Sequence, residues 1–307
     1  MTHLPKRVSI TEVGLRDGLQ IEPRILSTEE KLSLARALID AGHTSLEVTS
    51  FVSPTRVPQL ADAAELLAAL RGTPGVELKA LVPNVRGAER AIAAQADVLV
   101  FVLSATDSHG ARNLNRSPLE SLSELRGIVA QALAAGIRID ASISVAFGCP
   151  FEGDVPVERV IGLASDVQQL GISRVTFCDT TGMATPRHVQ ALAQALRDKM
   201  PDVDPAFHIH NTRGLGLVCV LVALQKGITR FESSVGGLGG CPFAPNAAGN
   251  VCTEDMVYMF HEMGIETGLH LDRLLEAAHL AERLVGHRLE GQVLKSGPRL
   301  SLRGHDA

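Results

Sequence analysis

Eight short runs of aliphatic and β-branched residues, each followed by a stretch with helical periodicity, are spaced along this 307-residue chain. They read as strands over 8–16, 44–51, 76–82, 98–104, 138–146, 174–180, 206–211 and 230–235. Helices between strands require parallel pairing, because a parallel connection needs a crossover of a dozen or so residues. The helices carry their own punctuation. Ser27-x-x-Glu30 and Ser117-Pro118-Leu119-Glu120 read as capping boxes, and Thr185-Pro186 as an N-cap with proline in the first turn. Gly42, Gly136, Gly171 and Gly227 fall where helices should stop, just before the next strand.

Parallel strands in this order suit an open doubly wound sheet or a closed barrel. The α/β class with a closed (β/α)₈ barrel is preferred. Chemically unusual residues lie at the C-terminal ends of many different strands, where barrel active sites form, rather than at one switch point. A single domain over 1–307 is expected: the barrel over about 8–250, a glycine-rich active-site lid at 236–249, and a small C-terminal helical cap over about 251–290. No linker, charge block or repeat marks a boundary.

With 45% hydrophobic and 21% charged residues the chain can bury a sizeable core. A net charge of −5 argues against nucleic acid and anionic membrane, which favour basic patches, and leaves a small molecule as the partner. Five cysteines (Cys149, Cys178, Cys219, Cys241 and Cys252) with no C-x-x-C spacing fit reduced thiols rather than a disulfide framework. The longest apolar stretch, residues 215–224, is too short to span a bilayer, and no apolar segment follows Lys6 and Arg7. The expectation is a soluble cytoplasmic protein, assembled as a dimer or larger homo-oligomer.

In His208-Ile209-His210 the strand period of two turns both imidazoles to one side, which in a barrel can be the interior mouth. Taken alone, such a pair is either a metal site or two polar residues at a strand end. Strand one ends in Glu12-Val-Gly-Leu-Arg16-Asp17-Gly18 and so delivers a carboxylate and a guanidinium to the same rim. Asp17 can complete an N,N,O face suited to Mg²⁺, Mn²⁺ or Zn²⁺ that leaves positions open for substrate. Adjacent residues of a strand point oppositely, so Arg16 and Asp17 are not expected to pair with each other.

Glu47 sits among apolar neighbours and needs a partner, for which Arg16 is the obvious candidate. Such a pair would aim the guanidinium at negative charge developing on a substrate oxygen. Asp179, in Phe177-Cys-Asp-Thr-Thr-Gly182, is either the N-cap of the next helix or a catalytic carboxylate. The glycines between Gly236 and Asn250 would let a lid close, with Cys241 at its tip as a proton donor. Asn250 can offer a neutral oxygen to a metal; Glu254 reads as a first-turn helix carboxylate.

Four segments in order, Glu12-Val-Gly-Leu-Arg-Asp-Gly-Leu-Gln20, Glu47-Val-Thr-Ser-Phe-Val-Ser-Pro54, Gly148-Cys-Pro-Phe-Glu-Gly153 and Gly236 to Cys241-Pro, resemble the hydroxymethylglutaryl-CoA lyase family over about residues 8–286. That family is part of a wider group of metal-dependent barrel lyases and synthases related to isopropylmalate synthase. The resemblance implies a divalent metal, Mg²⁺ or Mn²⁺, held by Asp17, His208, His210 and Asn250. It implies that Arg16 stabilises a thioester enolate, that Glu47 orients Arg16, and that Cys241 donates a proton. Asp179 and Glu254 become further active-site groups. The implied reaction cleaves 3-hydroxy-3-methylglutaryl-CoA to acetyl-CoA and acetoacetate.

The chain departs from that pattern at His210-Asn211-Thr212-Arg213-Gly214. Lyases of this kind typically have aspartate after the second histidine and tyrosine two residues later. Asn211 and Arg213 alter the charge near the metal, and Arg213 can grip a different substrate carboxylate. Citramalyl-CoA and longer branched 3-hydroxyacyl-CoAs therefore stay open as substrates. A Claisen-type synthase joining acetyl-CoA to a 2-oxo acid is disfavoured by the cysteine-bearing lid and the short chain after residue 287. A non-catalytic barrel is disfavoured because every catalytic position holds a competent side chain.

Overall fold

In a computed structural model that describes residues 4–240 and 249–300, the eight strands close into one parallel barrel in sequence order. They are β1 (Ser9–Glu12), β2 (Ser45–Ser50), β3 (Glu77–Val82), β4 (Val98–Ser104), β5 (Arg138–Ser144), β6 (Arg174–Cys178), β7 (Asp204–His208) and β8 (Arg230–Ser233). Around them run α1 (Thr28–Asp40), α2 (Ala63–Leu70), α3 (Val85–Ala93), α4 (Asp107–Asn113), α5 (Pro118–Ala134), α6 (Val157–Gln169), α7 (Pro186–Lys199) and α8 (Gly216–Gln225). After β8 come α9 (Thr253–Glu262), α10 (Leu271–Val285) and α11 (Gln292–Ser296). Helix α10 lies against both α9 and α1, covering the join between the last and first βα units. No helix among the described residues is long and apolar enough to cross a membrane.

All eight predicted strands are present, and six of them end earlier than expected. The largest difference is at strand one, which stops at Glu12 instead of continuing to Arg16. Residues Gly14–Gly18 wind into a π-helical turn in which the N–H groups of Arg16, Asp17 and Gly18 all converge on the Val13 carbonyl, at 3.1, 2.7 and 3.2 Å. Helix starts follow the expected chemistry. Ser27 Oγ accepts from the Glu30 N–H at 3.2 Å while the Glu30 carboxylate accepts from the Ser27 N–H at 2.8 Å, and Ser117 with Glu120 repeats the arrangement. Gly42, Gly136, Gly171 and Gly227 adopt positive φ, the left-handed conformation that stops a helix and turns the chain toward the next strand.

Outward-facing strand residues fill the layer beneath the helices. Phe101, Phe177, Phe207 and Phe231 are fully buried, and Phe207 meets Phe147 and Phe177 edge to face with centroids 5.4 and 6.0 Å apart. The barrel interior is polar by contrast. Lys79 of β3 reaches Asp140 of β5 at 3.1 Å, and Thr176 of β6 donates to Glu232 of β8 at 2.9 Å. Charges can stay inside because they are answered by partners there.

Glu12, at the end of β1, braces the point where the barrel closes. Its Oε1 accepts from the N–H groups of Gly14 and Val235 at 2.7 and 2.9 Å, and its Oε2 accepts from the Thr253 hydroxyl at 2.7 Å. Burial raises this carboxyl from 4.5 to about 7, against the lowering effect of those hydrogen bonds. The folded state therefore holds the proton more tightly than the unfolded state. The associated stability is fully present below the unfolded value of 4.5 and is lost as pH rises through about 7. In Glu12→Gln the amide oxygen can accept from Gly14 and Val235, while the amide N–H faces Thr253. This variant should fold, and its stability relative to the parent should rise as pH increases from about 5 to 8, by about 3 kcal/mol across the titration. Denaturant unfolding at several pH values checks this; a parent-to-variant difference that is flat with pH contradicts it.

Candidate active site

The π-helical turn after β1 sets the geometry of the barrel mouth. By packing three N–H groups onto one carbonyl, it swings Arg16 and Asp17, which a continuing strand would have separated, toward the same centre. Arg16 Nη1 donates to Asp17 Oδ1 at 2.5 Å, so the two do pair, contrary to the expectation from strand alternation. The same guanidinium makes a fork with Glu47 of β2: Nε to Oε1 at 2.7 Å and Nη2 to Oε2 at 3.1 Å. Burial alone would lower the Arg16 pKa; Glu47 and Asp17 outweigh it and hold the group far above its ordinary value, permanently charged.

Asp17 Oδ1 also accepts from Gln20 Nε2 at 3.0 Å, and its Oδ2 accepts from Asn250 Nδ2 at 2.8 Å. Burial works to raise this carboxyl, but Arg16 and the two imidazoles bring it down to about 2. His208 ends β7 and His210 follows in a backbone bridge to Asn250. Their Nε2 atoms face each other at 3.2 Å, and His208 Nε2 lies 3.9 Å from Asp17 Oδ2. His208 Nδ1 is hydrogen-bonded at 2.9 Å to Glu232, which Thr176 holds from the other side. With that nitrogen donating, His208 Nε2 is left to offer its lone pair to the centre.

A divalent cation fits this arrangement. Ligand atoms of Asp17, His208 and His210 all lie within 4.8 Å of one another. Asn250 Oδ1 and His210 Nδ1 are buried without a hydrogen-bond partner among the described residues. Two imidazole nitrogens directed at each other need either a shared proton or a cation. Burial would lower the His208 pKa, yet Glu232 and Asp17 raise it, so the surroundings favour positive charge there; burial and His208 press His210 down to about 3, keeping its lone pair free. Two nitrogens, a carboxylate and an amide oxygen are a mixed N/O set suited to such an ion.

A cavity of about 790 Å³ opens at this end of the barrel, with Arg16, Asp17, His208 and His210 at its floor. Glu47 stands behind Arg16, and Asn250 behind Asp17. Not every residue expected at the site lines this cavity. Asp179 is buried in the loop after β6, where Oδ1 accepts from the Ala184 N–H at 2.8 Å and its own N–H donates to the His208 carbonyl at 2.8 Å; burial lifts its pKa to about 7. The N-cap of α7 is Thr185, so Asp179 ties the loop rather than capping the helix. Glu254 is buried in the first turn of α9, where Oε2 accepts from the Gly236 N–H at 3.0 Å and burial raises its pKa to about 8. Arg213 is exposed and turns to the carbonyls of Gly182 and Thr181, at 2.6 and 3.4 Å, and Asn211 Oδ1 accepts from the Gly216 N–H at 3.0 Å. Of the glycine-rich segment expected to form a lid, residues 236–240 and 249 are described, and Gly240 lines the cavity. Cys241 lies outside the described residues.

Sequence reasoning missed Glu232, the partner of His208. A cue like the one that exposed Glu47, a single acid within a short strand, was present in Arg230-Phe-Glu232-Ser. It also missed the cavity walls contributed by Ser142, Ser144, Cys178 and Thr180. They follow from the period of two along β5 and β6 once Asp140 and Thr176 are known to face inward.

Together these features define a class: a (β/α)₈-barrel enzyme whose mouth joins a permanently charged arginine to an Asp–His–His cluster that a divalent cation fits. Residues 7–281 match the HMGL-like family, and the chain belongs to that family. It is 42% identical over 295 residues to a hydroxymethylglutaryl-CoA lyase of Bacillus subtilis, covering 95% of this chain and 99% of that one. It is 38% identical over 301 residues to the (R)-citramalyl-CoA lyase of Chloroflexus aurantiacus, covering 95% of each. A solved HMG-CoA lyase from Acinetobacter baumannii, in complex with coenzyme A and 3-methylmalate, superposes with a TM-score of 0.93 at 39% identity, covering 99% of both chains.

Replacing Glu232 by Gln keeps its shape but removes the charge that fixes the His208 tautomer. Mn²⁺ binding, followed by calorimetry, should weaken by roughly 10- to 100-fold with the fold intact, the range for losing a partner of a metal-bound histidine. Unchanged affinity would show that Glu232 does not set this site.

Proposed function

We propose that this protein is a divalent-metal-dependent carbon–carbon lyase that cleaves 3-hydroxy-3-methylglutaryl-CoA, or a closely related 3-hydroxyacyl-CoA, to acetyl-CoA and a keto acid. One observation carries the reading. The Arg16 guanidinium is locked by the Glu47 fork and by Asp17, whose other oxygen lies 3.9 Å from His208 Nε2, and it lines, with both histidines, a cavity large enough for part of a thioester arm. A fixed, desolvated cation beside a metal site is what a reaction that builds charge on a thioester oxygen requires. The curated relatives named lyases for two different hydroxyacyl-CoA thioesters support the same reaction type.

Asp17, His208, His210 and Asn250 would hold the metal, Mg²⁺ or Mn²⁺. Bound there, it would act as a Lewis acid on the substrate's tertiary hydroxyl and lower its pKa. The hydroxyl proton leaves to a base: with His208 Nδ1 on Glu232 and its Nε2 given to the metal, Asp179 is the remaining candidate and would take the proton through a water. The C2–C3 bond then breaks: the carbinol carbon becomes the keto group of acetoacetate, and the electron pair of the bond passes to C2 and the thioester oxygen as the acetyl-CoA enolate. Arg16 neutralises that oxygen, and Cys241 returns a proton to C2, so the net change moves one proton from oxygen to carbon. Glu254, through the Gly236 N–H, would set the start of the lid that carries Cys241. With Arg213 occupied by backbone carbonyls, the choice between hydroxymethylglutaryl- and citramalyl-CoA falls to the cavity walls.

Offering purified enzyme and Mg²⁺ each acyl-CoA in turn, and separately acetyl-CoA with 2-oxo acids, tests the assignment. Release of acetyl-CoA from a hydroxyacyl-CoA is expected; condensation without cleavage would make the protein a synthase instead. In Arg16→Gln, kcat should fall by at least about a hundredfold with a smaller change in KM, because the charge it answers exists only in the transition state. A rise in KM with kcat preserved would make Arg16 a binding residue.

A further inference from the structure

The chemistry above uses the ends of β1 and β7 and leaves the wall between β5 and β6 without a role. Ser142 and Ser144 of β5, with Cys178 and Thr180 at the end of β6, line the cavity that Arg16, Asp17 and both histidines also line. None of the four is larger than threonine. Cys178 is the register partner of His208 on the neighbouring strand, so its backbone stands about 4.8 Å from the one that carries the imidazole. Its Sγ is hydrogen-bonded to Ser142 Oγ at 3.1 Å, which joins the two strands across the wall. The backbone beside this wall is strained. Val145, which follows β5, has φ 52°, a left-handed conformation that a β-branched residue seldom adopts. Its N–H donates to Thr180 Oγ1 at 2.9 Å, and the next N–H, that of Ala146, donates to the Cys178 carbonyl at 3.0 Å. Strain of this kind persists only where the surroundings enforce it, and it clusters at active sites and ligand clamps. Here it ties the ends of β5 and β6 to each other and fixes the wall they form.

We infer that this β5–β6 wall, with Cys178 at its centre, receives the alkyl group on the substrate's carbinol carbon and so determines which 3-hydroxyacyl group is cleaved. The inference rests on the lyase reading above and narrows its substrate class. A tertiary carbinol carbon carries four groups. In that reading the hydroxyl goes to the cation and the thioester arm to Arg16, while the carboxylate-bearing arm follows the positive charge of the same centre. The fourth group, methyl in 3-hydroxy-3-methylglutaryl-CoA, has no charge to answer. It takes the side of His208 away from Arg16, where β6 adjoins β7. A thiol bonded to a hydroxyl presents a small, largely apolar surface that suits an alkyl group. Small side chains on both strands leave depth for more than one carbon. The class that follows is 3-alkyl-3-hydroxyacyl-CoA thioesters with a terminal carboxylate, bearing ethyl as well as methyl. Cleavage of the ethyl homologue breaks the same C2–C3 bond and moves the same proton, giving acetyl-CoA and 3-oxopentanoate.

The test compares 3-hydroxy-3-methylglutaryl-CoA with its 3-ethyl homologue through the ratio of kcat/KM values, ethyl over methyl. The parent should cleave both. Cys178→Val adds bulk to the wall and should lower the ratio about tenfold, the lower end of what one carbon is worth in a fitted pocket. Cys178→Ala removes bulk and should raise it. Ser142→Val probes the same wall from β5 and should also lower the ratio, which keeps the inference open to refutation should Cys178→Val misfold. Circular dichroism verifies the fold of each variant, and Mn²⁺ calorimetry verifies that the cation site beside Cys178 is intact. A ratio equal to the parent's in folded Cys178→Val and Ser142→Val overturns the inference, even if both rates drop together, because disturbed packing would slow both substrates alike. A parent that cleaves the methyl thioester and not the ethyl one overturns it as well. A parent that cleaves neither overturns the lyase reading itself, a result seen before any variant is made.

Discussion

The Arg16 guanidinium is buried at the mouth of the barrel, and a charge in that position is tolerated only because Glu47 and Asp17 meet it on two sides. The arrangement depends on a backbone event. Had β1 continued as a strand, Arg16 and Asp17 would point to opposite faces, one toward the helices and one into the barrel. The π-helical turn over Gly14–Gly18 brings both to the same centre, and single-turn π segments of this kind occur often at functional sites. Gly14 and Gly18 are required by packing: a Cβ on Gly14 would meet Glu12 Oε1 at 2.7 Å, and one on Gly18 would meet Leu238 Cβ at 2.9 Å. Glu12, the brace of the barrel seam, and Leu238, in the glycine-rich segment after β8, therefore both bear on the turn that presents Arg16.

From Asp17 the constraint passes to the rest of the site. Asn250 donates to Asp17 and to the Leu238 carbonyl, so the segment just before α9 is tied to the turn that begins the site. His208 is fixed from behind by Glu232, Glu232 by Thr176, and the interior carboxylates are balanced by Arg16 and Lys79. A barrel interior filled only with aliphatic residues would be simpler to stabilise. Here part of it is given to a hydrogen-bonded chain whose end is an imidazole aimed at the cation site, consistent with sites that gain precision from supporting groups on rigid strands.

Much of this was legible beforehand. The strand count and order followed from periodicity and helix punctuation, and the facing imidazoles followed from the two-residue period of His208-Ile209-His210. The Glu47–Arg16 pair followed from the cost of an unpartnered acid among apolar neighbours. What was not legible depends on tertiary geometry. The π turn has no periodic signature, so strand one was drawn four residues too long and the Arg16–Asp17 pair was not expected. Arg213 offered a plausible grip on substrate by proximity in sequence, but the loop after β6 supplies nearer acceptors in the Thr181 and Gly182 carbonyls. Arg56 and Arg86, which line the same cavity, lie 30 residues apart in sequence, one after β2 and one at the start of α3. Only barrel closure sets them over the same cavity.

The central claim is that the N,N,O cluster and Arg16 act on one thioester through a bound divalent cation. The most direct measurement is the cleavage of 3-hydroxy-3-methylglutaryl-CoA or citramalyl-CoA by enzyme stripped with a chelator, its metal content verified by elemental analysis and its fold by circular dichroism. The account expects acetyl-CoA release to vanish in the stripped enzyme and to return with added Mg²⁺ or Mn²⁺, and expects His210→Ala to remain inactive with either ion present. Full activity in a verified metal-free sample would contradict it.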